Sequence, residues 1–227
     1  MEQTKNYPSY KIVYKSGNGE YIEKKSRFIA SVEPVSSEAE AVAYIEAIRK
    51  KYWDAKHHCS AFVLGERSEL TRCSDDGEPS GTAGKPILEV LMGAQVTGVV
   101  VVVTRYFGGT LLGTGGLVRA YTQAAKEGLT TAGIATMRYG TTLTIETDYT
   151  DLGKVQYIMA QKGIEIMDSR YTQIVETDVR IPEEQLDMIQ KELIAATCAR
   201  AKIQKTGSGY YMDKTGQNDV ESSGEIR

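Results

Sequence analysis

Five valines in a row, Val99–Val103, held between Gly98 and Thr104, constrain this chain more than any other feature. Successive side chains of a strand point to opposite faces, so a run apolar at every position needs cover on both sides of its sheet. The run therefore predicts a strand central in its sheet. It is also the longest apolar run in the chain, far short of the roughly 20 residues that span a bilayer, which excludes a transmembrane helix.

Length and composition narrow the reading further. At 227 residues with 41% hydrophobic and 25% charged, the chain has the make-up of a globular protein of one large or two small domains. A net charge of -3 argues against a generally basic, duplex-coating protein, because neutralising phosphates takes clustered cations. Met1 to Tyr10 is polar and contains no apolar leader core, so a cytoplasmic location is expected. The three cysteines, odd in number and widely spaced, fit a reducing compartment, with Cys59 and Cys73 as buried packing residues.

Two domains are expected, residues 1–134 and 138–210, followed by a disordered tail over 211–227. Cut near Met137, the first part carries a net +1 and the second -4. The long glycine-rich stretches lie only in the first part, and Thr130 to Gly133 reads as a linker. In the first domain, Tyr10 to Tyr14 and Glu20 to Lys24 flank Ser16-Gly17-Asn18-Gly19, a hairpin signal, and Ser26 to Val32 continues as strand. Ser37 with Glu40 forms a capping box ahead of Ala41, Tyr44, Ile45, Ile48 and Tyr52 at helical spacing. Strands follow at Cys59 to Leu64 and Glu69 to Cys73, then a helix opened by Pro86, and after the valine strand a helix over Leu117 to Leu129. The second domain reads as strand Tyr139–Thr147, helix Asp151–Lys162, strands Ile164–Asp168 and Tyr171–Ile181, helix Pro182–Cys198 and strand Ala201–Tyr210. That order is βαββαβ, the ferredoxin-like arrangement.

Two loops hold most of the chemistry. The first, Ser74-Asp75-Asp76-Gly77-Glu78 through Lys85 and Pro86, is long enough to suggest function, and its three carboxylates offer oxygen ligands suited to Mg²⁺. The competing reading is a solvated turn with acids at turn positions, and no metal site is assigned. The second joins the valine strand to the next helix through Arg105, Tyr106, Phe107, Gly108, Gly109, Gly113, Gly115 and Gly116. Free N–H groups and the positive end of the helix dipole would face outward there, with Arg105 and Arg119 as anion-matching guanidiniums. The spacing fits neither a phosphate-binding P-loop nor a dinucleotide loop, and glycines that merely permit close packing are the alternative. His57 and His58 fall on opposite faces of a strand, so they cannot easily share one metal, and His58 is expected to bond to the Asp54 or Asp75 region.

The segments Lys25-Ser26-Arg27-Phe28-Ile29-Ala30, His57-His58-Cys59, Ser74 to Gly84, Thr104 to Gly109 and Leu112 to Leu117 resemble the IMPACT family, in particular its bacterial YigZ/YvyE-like branch. The likeness covers about residues 20–130. It implies an α+β protein of two domains. The N-terminal one would be a two-layer α/β domain akin to a ribosomal protein and to ribonuclease PH. The C-terminal one would be ferredoxin-like, as in elongation factor G. Eukaryotic members regulate translation through the activator of an initiation-factor kinase, a circuit bacteria lack. A translation-linked binding role therefore carries over by analogy, and no settled catalysis does.

Two functional readings follow. The preferred one is a non-enzymatic protein that binds the ribosome, structured RNA or a translation-associated protein. Arg105, Arg119 and Lys85 would make its anionic contacts, with Tyr106 and Phe107 as stacking groups, and no cofactor is expected. The alternative is a Mg²⁺-dependent phosphate-ester or small-molecule enzyme, with Asp75, Asp76 and Glu78 on the metal and His58 as acid or base.

Overall fold

The computed structural model describes residues 7–213, which fall into two compact units: Tyr10–Thr136, and residues 7–9 together with 137–213. In the first unit, β2 (Gly17–Glu23), β3 (Ser26–Pro34), β7 (Val99–Tyr106), β4 (His57–Leu64) and β5 (Leu70–Ser74) form an antiparallel sheet in the order β2-β3-β7-β4-β5. The valine strand lies in the middle, as its composition requires. Val99, Val101 and Val103 pack toward α2 (Gly84–Ala94) and α3 (Gly113–Ala132), while Val100 and Val102 pack toward α1 (Glu38–Lys51) on the other face. All five are fully buried. At about 1.5 kcal/mol or more per buried valine, this one strand contributes on the order of a small domain's whole net stability.

The glycines of Ser16-Gly17-Asn18-Gly19 serve packing and not the expected turn. β1 (Tyr10–Val13) pairs in parallel with β6 (Val96–Thr97) instead of with β2. The hairpin is β2 with β3, closed by Lys24 and Lys25, both at positive φ (46° and 67°), the backbone that a two-residue turn needs to match strand twist. Gly17 and Gly19 lie inside β2 because α3 rests on them: a Cβ on Gly17 would overlap Ala132, and one on Gly19 would overlap Gly128.

Two other expectations shift. Thr130 to Ala132 form the last turn of α3 and Gly133 is its cap at φ 69°, so no linker separates the units and the division falls inside β8 (Ile134–Thr147). The capping box forms with a one-residue offset: Ser37 Oγ accepts from the Glu40 amide at 3.2 Å, while the Glu40 carboxylate accepts from the Ser36 amide at 2.7 Å.

In the second unit, β8, α4 (Tyr149–Gln161), β9 (Ile166–Tyr171), β10 (Val175–Pro182), α5 (Leu186–Ala196) and β11 (Lys202–Asp213) follow in βαββαβ order. Their sheet runs β11-β8-β10-β9, closed over by Ile158, Met159, Ile189 and Leu193 from the helices. Pro182 ends β10 rather than opening α5, because a 3-10 turn, Glu183–Gln185, intervenes. β11 continues through Tyr211–Asp213, where a disordered tail was expected, and the remainder of that segment lies outside the described residues. Residues 7–9 join this unit and not the first: Tyr7 stacks on Tyr139 at 3.6 Å. No helix among the described residues is long and apolar enough to cross a membrane.

Candidate functional site

The site grows from the end of β7. Arg105 pairs in register with Phe28 of β3 and His57 of β4, all at the edge of the face that carries α2 and α3. Its guanidinium lies over the rings of Phe28 and Phe107 at 5.4 and 5.7 Å. Nη1 donates to Glu78 Oε1 at 2.6 Å, and Glu78 is itself nearly sealed, its side chain 4% exposed. A buried charge needs such a partner. Tyr121 Oη also donates to Glu78 Oε1 at 2.8 Å and receives the Cys59 thiol at 3.3 Å. Burial raises the Tyr121 hydroxyl and pushes the Cys59 thiol up to about 12, so neither is an activated nucleophile.

The acidic loop is spent on structure. The Asp75 carboxylate accepts the amides of Gly81 (2.8 Å), Ala83 (3.0 Å) and Gly84 (2.8 Å), capping α2 from a distance and folding the loop back on itself. Asp76, held at φ 42°, accepts from Arg49 and from the His58 amide, each at 2.6 Å. Gly77 follows at φ 84°, and a Cβ there would lie 3.5 Å from His57 Nδ1. Ser74 Oγ accepts the Asp76 amide at 3.3 Å. The three carboxylates thus point to three different partners. Among the described residues no group of three potential ligands gathers that would hold a metal ion.

The histidines part as the strand period demands. His58 is buried, with Nε2 donating to the Tyr52 carbonyl at 3.1 Å; its partners are Tyr52 and Asp76, and Asp54 bonds Tyr106 instead. His57 stays partly open, with Nδ1 donating to the Asp76 carbonyl at 2.9 Å.

A cavity of about 540 Å³ opens beside these groups, lined by Asp54, Ala55, Lys56, His57, Arg105, Tyr106, Phe107 and Leu111. Tyr106 Oη donates to Asp54 at 2.7 Å and ties the turn after α1 to the end of β7. The loop beyond is pinned at Gly108, whose amide donates to Ser26 Oγ at 3.0 Å and whose Cα lies so near the Lys25 backbone that no side chain fits. Gly109 sits at φ 85° in open space. Around the mouth Phe107 is 57% and Leu111 83% exposed, and Trp53, next to Asp54, is 82% exposed. Lys56 of the lining is exposed, as are Lys24 and Lys25 in the β2–β3 turn.

Of the anticipated cations, only Arg105 reaches this cavity. Lys85 lies on the first turn of α2, 3.9 Å from Glu89. Arg119 leans back along α3, its Nη1 3.8 Å from where a Gly115 Cβ would stand, and it joins no ion pair among the described residues. Gly113 and Gly116 lie in the same first turn, where no side chain caps the helix. Asp54, Ala55, Lys56, Leu111 and Trp53 were not among the residues expected in the site. The one available signal was a sole tryptophan at the polar end of a helix. Cys73, expected inside, is exposed, because β5 is an edge strand.

Residues 24–129, which contain the whole site, match the Impact N-terminal domain, and residues 145–200 match a domain of unknown function, DUF1949. The chain is 38% identical over 206 residues to IMPACT family member YvyE of Bacillus subtilis (strain 168), covering 91% of this chain and 94% of that one. The chain belongs to the IMPACT family. It is also 40% identical over 161 residues to IMPACT family member YigZ of Escherichia coli (strain K12), covering 70% of this chain and 79% of that one. A solved structure described as that of a hypothetical protein superposes with a TM-score of 0.56 at 33% identity, covering 89% of this chain and 99% of that one. In this IMPACT chain the acidic loop and the end of β7 converge on one ion pair, Arg105 with Glu78.

Proposed function

We propose that this IMPACT-family chain is a non-catalytic, cytoplasmic binding protein of the translation apparatus, and that it takes ribosomal or other structured RNA at the open end of β7. One observation carries the reading: Phe107 and Leu111 stand out into solvent on a cavity that Arg105 and Lys56 also line, and the exposed Trp53 adjoins its Asp54. Exposed rings beside cations suit unpaired bases, which stack on aromatic faces while lysines meet the phosphates. The patch also answers the acidic net charge, since recognition needs local cations rather than a basic chain. The Mg²⁺-dependent alternative loses its ligands, because Asp75, Asp76 and Glu78 are each committed to protein partners.

Trp53 is the sole tryptophan, so its emission reports directly on this surface. Titration with a short single-stranded RNA is expected to quench it, and Phe107→Ala is expected to weaken binding roughly tenfold, within the range of one lost stacking contact. Unquenched emission together with absence from sedimented ribosomes would overturn the proposal.

A further inference from the structure

The most buried group that lines the β7 cavity is a cation, and this says which part of an RNA enters first. That group is Arg105, 7% exposed. Glu78 holds its Nη1 from behind and does not itself line the cavity. The Arg105 Nε is buried with no hydrogen-bond partner, and the guanidinium makes no other hydrogen bond among the described residues. A guanidinium so held keeps donors for a planar or tetrahedral oxyanion. His57 is partly buried, and Lys56, Phe107 and Leu111 are exposed. The one carboxylate among the lining residues, Asp54, is occupied by the Tyr106 hydroxyl.

A pocket built for a flipped base would put rings and base-edge readers at its most buried position, where this one has a guanidinium. An internal phosphodiester carries a nucleoside on either side and cannot lead into a recess. A terminal phosphomonoester can: it offers three acceptor oxygens and nearly two negative charges, and its single nucleoside then lies at the mouth. A volume of about 540 Å³ is of the size that accepts one such unit. We infer that the cavity takes the terminal phosphomonoester of an RNA, with Arg105 and Lys56 on the phosphate and Phe107 against the last base, so that the protein reads an RNA end. This inference rests on the RNA reading above and names the group that reading leaves open.

The test is calorimetric titration of the full chain with one short RNA in three forms: 5′-phosphorylated, 3′-phosphorylated, and hydroxyl at both ends. One phosphorylated form is expected to bind at least tenfold tighter than the dihydroxyl form, and which one identifies the end. Lys56→Ala, a surface change, and Arg105→Lys are each expected to bring that ratio toward one. Equal affinity for all three forms would overturn the inference and leave RNA binding standing. Binding by none of them would overturn both. A tenfold ratio that survives in a folded Lys56→Ala and in a folded Arg105→Lys would show that the phosphate sits elsewhere and would equally overturn it.

Discussion

Gly19 in β2 and Gly128 in α3 meet backbone to backbone: a Cβ on Gly19 would overlap the Gly128 amide nitrogen. Helix and sheet therefore approach as closely as two main chains can. Gly19→Ala has no flexible neighbour to displace, and it is expected to cost about 2–3 kcal/mol in urea unfolding. Gly153→Ala in α4, where nothing lies within 4 Å of the new carbon, is expected to stabilise by about 0.5–1 kcal/mol. A harmless Gly19→Ala would mean that α3 does not sit against β2 as described.

Asp75 makes stability depend on pH. Burial alone would raise its carboxyl, but the amides of Gly81, Gly84 and Ala83 outweigh burial and hold it below the ordinary aspartate range. Since the folded value is the lower one, the contribution is complete above about pH 5 and is lost as pH falls through the folded value. Asp75→Asn is expected to start about 2 kcal/mol less stable near neutrality, through lost charge-assisted bonds, and to lose less than the parent on acidification. Thermal midpoints from about pH 6 to about pH 3 check this, and parallel curves would contradict it.

The buried network around Glu78 is expected to respond unequally to its two ends. Glu78→Gln leaves the Arg105 charge uncompensated inside the protein and should cost about 3 kcal/mol or more. Tyr121→Phe removes one neutral hydroxyl and should cost nearer 1 kcal/mol. Equal losses in denaturant unfolding would mean that Arg105 finds water when Glu78 is neutralised.

Thiol reactivity separates the cysteines. Cys73 and Cys198 are exposed, whereas the buried Cys59 thiol is pushed up to about 12. A disulfide reagent should titrate two thiols promptly in the native protein and the third only on unfolding. Prompt reaction of Cys59 would show that α3 opens locally.

The fold was legible where burial leaves a periodic mark. A run apolar on both faces placed β7 in mid-sheet, and alternation in the second unit yielded βαββαβ. It was illegible where one residue type serves two ends: the glycines that open β2 read as a turn because local sequence does not reveal that α3, far along the chain, will lie on them. The acidic loop was illegible for a related reason. Asp76 with Arg49 and Glu78 with Arg105 are each 27 residues apart, so the loop's acids looked free until the chain was folded. Exposure of Trp53 and Leu111 leaves no pattern at all, since an apolar residue is expected to be inside.

The strand that forms the middle of the sheet also ends in the floor of the cavity. Arg105 follows Val103 by two residues on the same face, between partners on both sides. Its amide should therefore exchange hydrogen with solvent only when the whole unit opens, as slowly as the valines beside it. Nothing at the floor has to settle into place when a ligand arrives. The ordering cost of association falls on the ligand and on the few side chains at the mouth, which makes the grip depend on fit and leaves little room for adjustment.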